Sequence, residues 1–214
     1  MTQGPIDQPG WQRVGLLGGT FDPPHLAHRA LADCALLHLQ LDRVLWVPAG
    51  QPWQKAHRPI TAAQHRCAMV RLLMQGEVRF ELDEREIHRP GPSTTIQTLQ
   101  ELSLEHPRTR WYLILGQDQY ARLDTWRQWE DVVRRVVLAV APRDGEPVQP
   151  GTALREWMQR NPKACSTVEL PMTLQPISST AVRAQRQAGA DVTALVGAAV
   201  ARYIDEHRLY TGTP

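Results

Sequence analysis

The sequence predicts an α/β fold in a single domain: a doubly wound, mostly parallel sheet with helices on both faces. Two observations support this prediction. Short apolar runs of strand length alternate with helical patterns through almost the whole chain, which is typical of βαβ units. With 214 residues, 42% of them hydrophobic, and no internal repeat or low-complexity tract, the chain can form one well-buried core.

Each predicted strand is a short apolar run. The first follows a loose polar leader, residues 1–12, and begins a domain that is predicted to span residues 13–210. The second runs into a proline-bounded loop over residues 48–55. The predicted strands are residues 13–18, 44–47, 78–82, 111–115, 136–141 and 167–170.

Helix starts are predicted from capping patterns and apolar spacing. Residues 61–64 have the form of a capping box, and Ser93 or Thr94 can cap the next helix. The predicted helices are residues 26–41, 61–74, 94–104, 124–134, 178–187 and 191–206. Between them, residues 89–92 predict a turn, and the proline- and glycine-rich residues 142–150 predict a surface excursion.

Composition excludes several classes of protein. The formal net charge is +2 and no basic run or arm occurs, so nothing predicts a nucleic-acid partner, whereas a small anionic ligand fits equally well. The three cysteines are widely spaced and form no C-x-x-C pair, which favours a reducing compartment over a disulfide framework or a zinc site. No secretory signal and no apolar run near the roughly 20 residues of a membrane span is present, so we expect a cytoplasmic protein without membrane contact.

The most informative stretch is residues 18–28, G-G-T-F-D-P-P-H-L-A-H, which lies between the first strand and the first helix. Gly18 and Gly19 place no side chain where phosphates could approach the backbone. The free N–H groups and the positive dipole end of the helix that follows attract anions. His25 and His28 lie three residues apart, on one helical face, where both can donate to phosphate oxygens.

Three segments that follow strands can meet at one edge of the predicted sheet: the Gly18 turn, the loop that carries Lys55, and residues 116–118. In open parallel sheets, ligands bind beyond the carboxyl ends of the strands, where the strand order reverses. This placement favours a nucleotide ligand and by itself says no more.

Residues 18–28 resemble the nucleotidyltransferase signature G-G-[ST]-F-D-P-x-H-x-G-H, and specifically that of bacterial nicotinate-nucleotide adenylyltransferases, with Ala27 where that pattern usually has glycine. Residues 177–183, I-S-S-T-A-V-R, are similar to the I-S-S-T-x-I-R signature of the same family. Taken alone, this second segment is more typical of an ordinary Ser/Thr helix cap with a surface arginine. Two motifs in the right order, about 150 residues apart, favour the family, whose fold is Rossmann-like.

Three further segments extend the resemblance. Lys55 lies where the family has a triphosphate-binding lysine, although Trp53 and Gln54 replace the usual Pro-His. Residues 116–126 match a G-x-D pattern followed by Thr-Trp, and the tryptophan, Trp126, can stack on a pyridine ring. Residues 91–95, G-P-S-T-T, are similar to the family's G-P-S-Y-T.

The resemblance implies an enzyme that joins the AMP moiety of ATP to nicotinate mononucleotide, giving deamido-NAD and pyrophosphate without a covalent intermediate. The implied catalytic residues are His25, His28, Lys55 and Arg183. The implied nucleotide-binding residues are Gly18, Gly19, Thr20, Phe21, Gly116, Asp118, Ser178, Ser179 and Thr180, and the implied mononucleotide-binding residues are Ser93, Thr95 and Trp126.

Mg²⁺ should arrive bound to ATP, with no metal ligands from the protein. Adenylyl transfer to nicotinamide mononucleotide or to pantetheine phosphate is an alternative, as is a nucleotide-binding regulator without turnover. Oligomeric state is left open.

Overall fold

The sheet confirms the predicted α/β fold. The computed structural model describes residues 10–50, 60–143, 147–172 and 175–212. In these residues six strands form one parallel sheet in the order β3-β2-β1-β4-β5-β6. The strands are Gln12–Gly19 (β1), Arg43–Pro48 (β2), Phe80–Leu82 (β3), Thr109–Gly116 (β4), Val136–Ala141 (β5) and Ser166–Glu169 (β6).

Helices connect the strands and cover both faces of the sheet. They are Leu26–His38 (α1), Ala63–Met74 (α2), Arg85–His88 (α3), Thr95–Glu105 (α4), Gln117–Tyr120 (α5), Trp129–Arg135 (α6), Thr152–Arg160 (α7), Ser179–Gln187 (α8), Thr193–Val196 (α9) and Ala198–Glu206 (α10). From β1 the chain winds outward through β2 and β3, then returns to β4 on the other side of β1. The strand order therefore reverses between β1 and β4, where such sheets bind ligands.

Alternate residues of each central strand belong to two separate cores. Along β4, Tyr112 and Ile114 pack under α1, α2 and the C-terminal helices. Trp111, Leu113 and Leu115 pack on the opposite side, against α4, α6 and α7. Both faces are buried, which explains why the strands are continuously apolar rather than alternating.

Several predicted helix bounds were wrong because single residues with positive φ interrupt the helices. The first helix ends at His38 instead of residue 41, since Gln40 has φ 49° and cannot continue it, while Leu39 and Leu41 on either side are buried. The helix predicted over residues 124–134 is a 3₁₀ turn followed by α6, separated at Gln128 with φ 53°. The last helix divides at Gly197, with φ 82°, into α9 and α10.

Other differences come from patterns too short to recognise. The capping box over residues 61–64 was wrong: Ala62 caps α2 without a side-chain bond, and the Thr61 carbonyl accepts from Arg66 instead. The third strand was predicted from residue 78 but begins at Phe80. Val78 is 95% exposed and does not belong to the buried apolar run. The four-residue helices α3 and α5 and the amphipathic α7 were not predicted.

No helix among the described residues is long and apolar enough to cross a membrane. The bounds of the leader and of the domain stay predictions, and residues 1–9 lie outside the described part of the chain.

Candidate active site

A cavity of about 540 Å³ opens at the carboxyl ends of β1 and β4, where the strand order reverses. It brings together the sequence-predicted residues Gly18, Gly19, Thr20, Phe21, His25, His28, Ser93, Thr95, Gly116, Asp118, Trp126, Ser178 and Ser179. Thr180 and Arg183 do not belong to its described lining. Lys55 lies outside the described residues, so its role stays a prediction.

The glycine turn comprises residues 18–23, and its residues 18–21 form one wall of this cavity. A Cβ added at Gly18 would meet no atom within 4 Å, whereas one added at Gly19 would lie 2.9 Å from the Phe21 ring. Phe21 itself is 1% exposed and has φ 50°, a left-handed conformation that is uncommon for a residue with a side chain. Gly18 therefore leaves space for a ligand, while Gly19 leaves space for the packed turn.

The open space at Gly18 can be tested by Gly18→Ala. We expect the free energy of unfolding to change by less than about 0.5 kcal/mol, because the added methyl group contacts nothing in the protein. The methyl group would occupy ligand space, and crowding of about 1 kcal/mol corresponds to an increase of roughly fivefold in KM for ATP. Steady-state kinetics and urea unfolding provide the two measurements. An unchanged KM would mean that the ligand does not approach Gly18.

His25 and His28 are held in a stacked arrangement at the start of α1. Their ring centroids are 3.7 Å apart with an interplanar angle of 27°. The backbone N–H of His25 donates to Nδ1 of His28 at 3.2 Å, so neutral His28 carries its proton on Nε2. The Phe21 ring meets the His28 ring edge-on at 5.1 Å. Both imidazoles are thus oriented before any ligand binds.

Burial keeps His25 uncharged near neutral pH. The residue is 6% exposed, and its desolvation lowers the pKa from 6.5 to about 4. The unfolded chain binds this proton more readily than the folded chain. The contribution of His25 to the free energy of unfolding is therefore fully present above pH 6.5 and is lost as the pH falls toward 4. Neutral His25 can donate one hydrogen bond to a phosphate oxygen without the cost of a buried charge.

This low pKa can be measured directly. In an NMR titration of the ligand-free protein, we expect the His25 ring to titrate near pH 4, well below the ordinary histidine value of 6.5. Addition of ATP should raise this pKa, because a nearby negative charge favours imidazolium. A His25 pKa near 6.5 in the free protein would contradict its burial.

Side chains from distant parts of the chain donate hydrogen bonds to backbone carbonyl groups of the glycine turn. The carbonyl oxygen of Thr20 accepts a hydrogen bond from Nη1 of Arg66 at 2.7 Å. The carbonyl oxygen of Asp22 accepts one from Nη1 of Arg183 at 2.6 Å. The carbonyl oxygen of Pro23 accepts one from Oγ of Ser179 at 2.9 Å. Arg183 also donates to Oγ1 of Thr180 at 3.1 Å. In this arrangement Arg183 supports the turn, and its predicted contact with phosphate stays a prediction.

The start of α8 is a helix cap that also borders the cavity. Oγ of Ser178 accepts from the backbone N–H of Ala181 at 3.1 Å, which is an ordinary N-cap. Ser178 and Ser179 nevertheless line the cavity, next to the glycine turn that Ser179 contacts.

The same cavity is lined by the residues predicted to bind the mononucleotide. Trp126 is half-buried against the second core, and its backbone N–H donates to Leu123 O at 3.0 Å. Ser93 is 9% exposed, and its buried Oγ has no hydrogen-bond partner within the described chain. Thr95 is the first residue of α4. A flat aromatic surface and a buried hydroxyl therefore lie in one cavity with the two imidazoles.

Sequence reasoning missed several polar residues of the lining. Arg143 donates to Oδ2 of Asp118 at 2.6 Å, so one oxygen of this predicted nucleotide-binding carboxylate is already engaged and the other can accept. Oγ1 of Thr98 donates to Oε1 of Glu86 at 2.6 Å, and burial raises the pKa of the Glu86 carboxyl. Arg143 lies in a segment of turn residues and Glu86 in a four-residue helix, so neither has a periodic signal.

Among the described residues, no group of three or more His, Cys, Asp or Glu side chains could hold a metal ion. The expectation that Mg²⁺ enters with ATP, without protein ligands, stays a prediction.

Comparison with known proteins shows the family of this chain. Residues 16–185 match the family model described as cytidylyltransferase-like. A protein of Methylibium petroleiphilum is 46% identical over 204 residues, covering 93% of this chain and 92% of that protein. A Synechococcus protein is 42% identical over 207 residues, covering 94% and 96%. Both carry the name probable nicotinate-nucleotide adenylyltransferase.

Solved structures show the same fold. Nicotinic acid mononucleotide adenylyltransferase of Plasmodium falciparum, complexed with NaAD, superposes with a TM-score of 0.77 at 19% identity, covering 93% of this chain and 97% of that one. Its complex with APC gives a TM-score of 0.75. From the family model and the relatives at more than 40% identity, this chain belongs to the nicotinate-nucleotide adenylyltransferases of the cytidylyltransferase-like family.

Proposed function

We propose that this enzyme transfers the AMP moiety of ATP to nicotinate mononucleotide, giving deamido-NAD and pyrophosphate in NAD biosynthesis. The observation that carries the proposal is one cavity at the reversal of strand order that is lined by a glycine turn, two ordered imidazoles, Trp126 and Ser93. Its volume of about 540 Å³ is in the range of small-molecule sites. The names of its relatives support the same reaction.

The chemistry is one displacement at phosphorus. A phosphate oxygen of the mononucleotide attacks the α-phosphorus of ATP in line, and the bond from that phosphorus to the bridging oxygen breaks. Pyrophosphate leaves with the electron pair of that bond. No protein nucleophile takes part, so the protein contributes position and charge stabilisation.

The glycine turn and the histidines act on the phosphates. Gly18 leaves space for the triphosphate, and His25 and His28 donate to the oxygens on which negative charge grows. His25 is neutral in the free enzyme. The negative charge of the bound substrate raises the pKa of this ring and so favours its protonated form. Lys55 and Arg183 are proposed to offset the remaining charge, and Asp118 to accept from a ribose hydroxyl.

Mg²⁺ belongs to the substrate in this proposal, held by the phosphates and by water. The mononucleotide stacks on Trp126, and Ser93 and Thr95 donate to its polar groups. The predictions of a cytoplasmic location and of no nucleic-acid partner accompany this proposal.

One experiment tests the reaction. The purified protein is incubated with MgATP and, in separate reactions, nicotinate mononucleotide, nicotinamide mononucleotide or pantetheine phosphate, and products are identified by mass spectrometry. We expect deamido-NAD and an equal amount of pyrophosphate from the first mixture. Faster product formation from pantetheine phosphate would assign a different acceptor, and ATP binding without any pyrophosphate release would assign a regulator.

A further inference from the structure

We propose that Tyr210, near the C-terminus, is a positioning residue for the reaction: its hydroxyl holds Asp22 and thereby fixes the glycine turn that receives ATP. This inference rests on the proposed function for the identity of the ligand. It adds a residue that does not line the cavity and lies 188 positions along the chain from the turn.

The contact joins a hydroxyl to a deeply buried carboxylate. Oη of Tyr210 donates to Oδ1 of Asp22 at 2.8 Å, and Asp22 is 2% exposed. Burial raises the pKa of Tyr210, so its hydroxyl keeps its proton near neutral pH and acts as the donor. A buried carboxylate needs such donors, and bonds to ionised groups are about twice as strong as neutral ones.

The turn also needs support from outside. Phe21, next to Asp22, has φ 50°, a conformation that persists in a non-glycine residue when the surroundings enforce it. Arg66, Arg183 and Ser179 donate to three carbonyl groups of the turn, those of Thr20, Asp22 and Pro23. Tyr210 adds a hydrogen bond to a side chain of the turn. This bond joins the segment after the last helix to the turn whose residues 18–21 line the cavity.

Loss of the bond should act on ATP more than on the mononucleotide. In Tyr210→Phe, Asp22 loses a hydrogen-bond donor and the turn can shift. A small displacement of the residues that bind a substrate weakens its binding and lowers the rate of a reaction that depends on exact positioning. Trp126 and Ser93 lie on other elements, after β4 and before α4, and keep their positions. We expect KM for ATP to rise about tenfold and KM for the mononucleotide to change by less than twofold.

Tyr203→Phe is the matched control. It removes a hydroxyl of the same C-terminal segment, which lies 3.0 Å from Nδ1 of His65 and not on the glycine turn. Both variants are compared by KM for each substrate, by kcat and by thermal unfolding, at a temperature well below the midpoint of either. Tyr203→Phe should stay within twofold of the parent in every kinetic constant.

A double-mutant cycle separates positioning from general stability. Asp22→Asn keeps an acceptor but removes the charge, so Tyr210→Phe should raise KM for ATP less in that background than in the parent. Equal effects in both backgrounds, or a rise in both KM values that simply follows a loss of thermal stability, would overturn the proposal. So would a Tyr210→Phe variant that matches Tyr203→Phe.

Calorimetric binding of a non-hydrolysable ATP analogue distinguishes failure of this inference from failure of the proposed function. If the parent makes no dinucleotide but Tyr210→Phe binds the analogue about tenfold more weakly than Tyr203→Phe, the reaction is wrong and the positioning role stands. If the parent makes deamido-NAD and both variants bind the analogue equally, the positioning role is wrong.

Discussion

Replacement of His25 by alanine is expected to lower kcat by roughly 10²–10³, the usual effect of removing one preorganised donor to a developing charge. His25 is buried, stacked on His28 and part of the cavity wall, so its donor direction is set before ATP binds. Steady-state rates of pyrophosphate release at saturating substrates give the measurement.

Two further variants show whether the loss is catalytic. His25 is the N-cap of α1, and asparagine is among the best N-cap residues, so His25→Asn should keep the fold while kcat remains strongly reduced. His38→Ala removes an exposed histidine from the last turn of the same helix and should leave kcat within twofold of the parent. Near-parental kcat in His25→Ala would remove this residue from the mechanism.

Local patterns were sufficient to predict the fold class and the glycine turn with its two histidines, whereas the other predicted residues of the cavity came from the family resemblance. A strand followed by Gly18 and Gly19, then a helix with His25 and His28 three residues apart, fixes the geometry of one wall within about ten residues. Sequence alternation also implies parallel strands, but it does not say which strands are neighbours. The pairing of β1 with β4 creates the reversal of order, and it depends on long-range packing of both cores.

Contacts between distant residues could not be predicted in the same way. Ser179 and Arg183 have the residue types of a phosphate site, and in the structure both donate to carbonyl groups of the glycine turn. Arg66 is buried in α2 and Tyr210 follows the last helix, and neither belongs to a motif. Their partners in the glycine turn are the Thr20 carbonyl and the Asp22 carboxylate, 46 and 188 residues away along the chain, for which the sequence has no periodic or spacing signal.

The enzyme is expected to prefer nicotinate mononucleotide over nicotinamide mononucleotide by at least about tenfold in kcat/KM. The two substrates differ only in a carboxylate against a carboxamide. A hydroxyl such as that of Ser93, buried and without a partner in the described chain, donates a stronger bond to a charged oxygen than to a neutral one. Where a backbone N–H donates to the second carboxylate oxygen, the carboxamide would place its own N–H₂ against that donor. The buried donor would then be left unpaired, which costs roughly 1–3 kcal/mol. About 1.4 kcal/mol corresponds to a factor of ten.

Two variants assign this preference to its source. Trp126→Ala removes a ring that stacks on either pyridine, so kcat/KM should fall by similar factors for both substrates and their ratio should stay nearly constant. Ser93→Ala should lower kcat/KM for the acid more than for the amide, because the charge-assisted bond is lost. Thr94→Ala, next to Ser93 and engaged with Gln97 in the cap of α4, serves as the control for local disturbance of this segment. Equal kcat/KM for acid and amide in the parent would defeat the nicotinate assignment even where adenylyl transfer is observed.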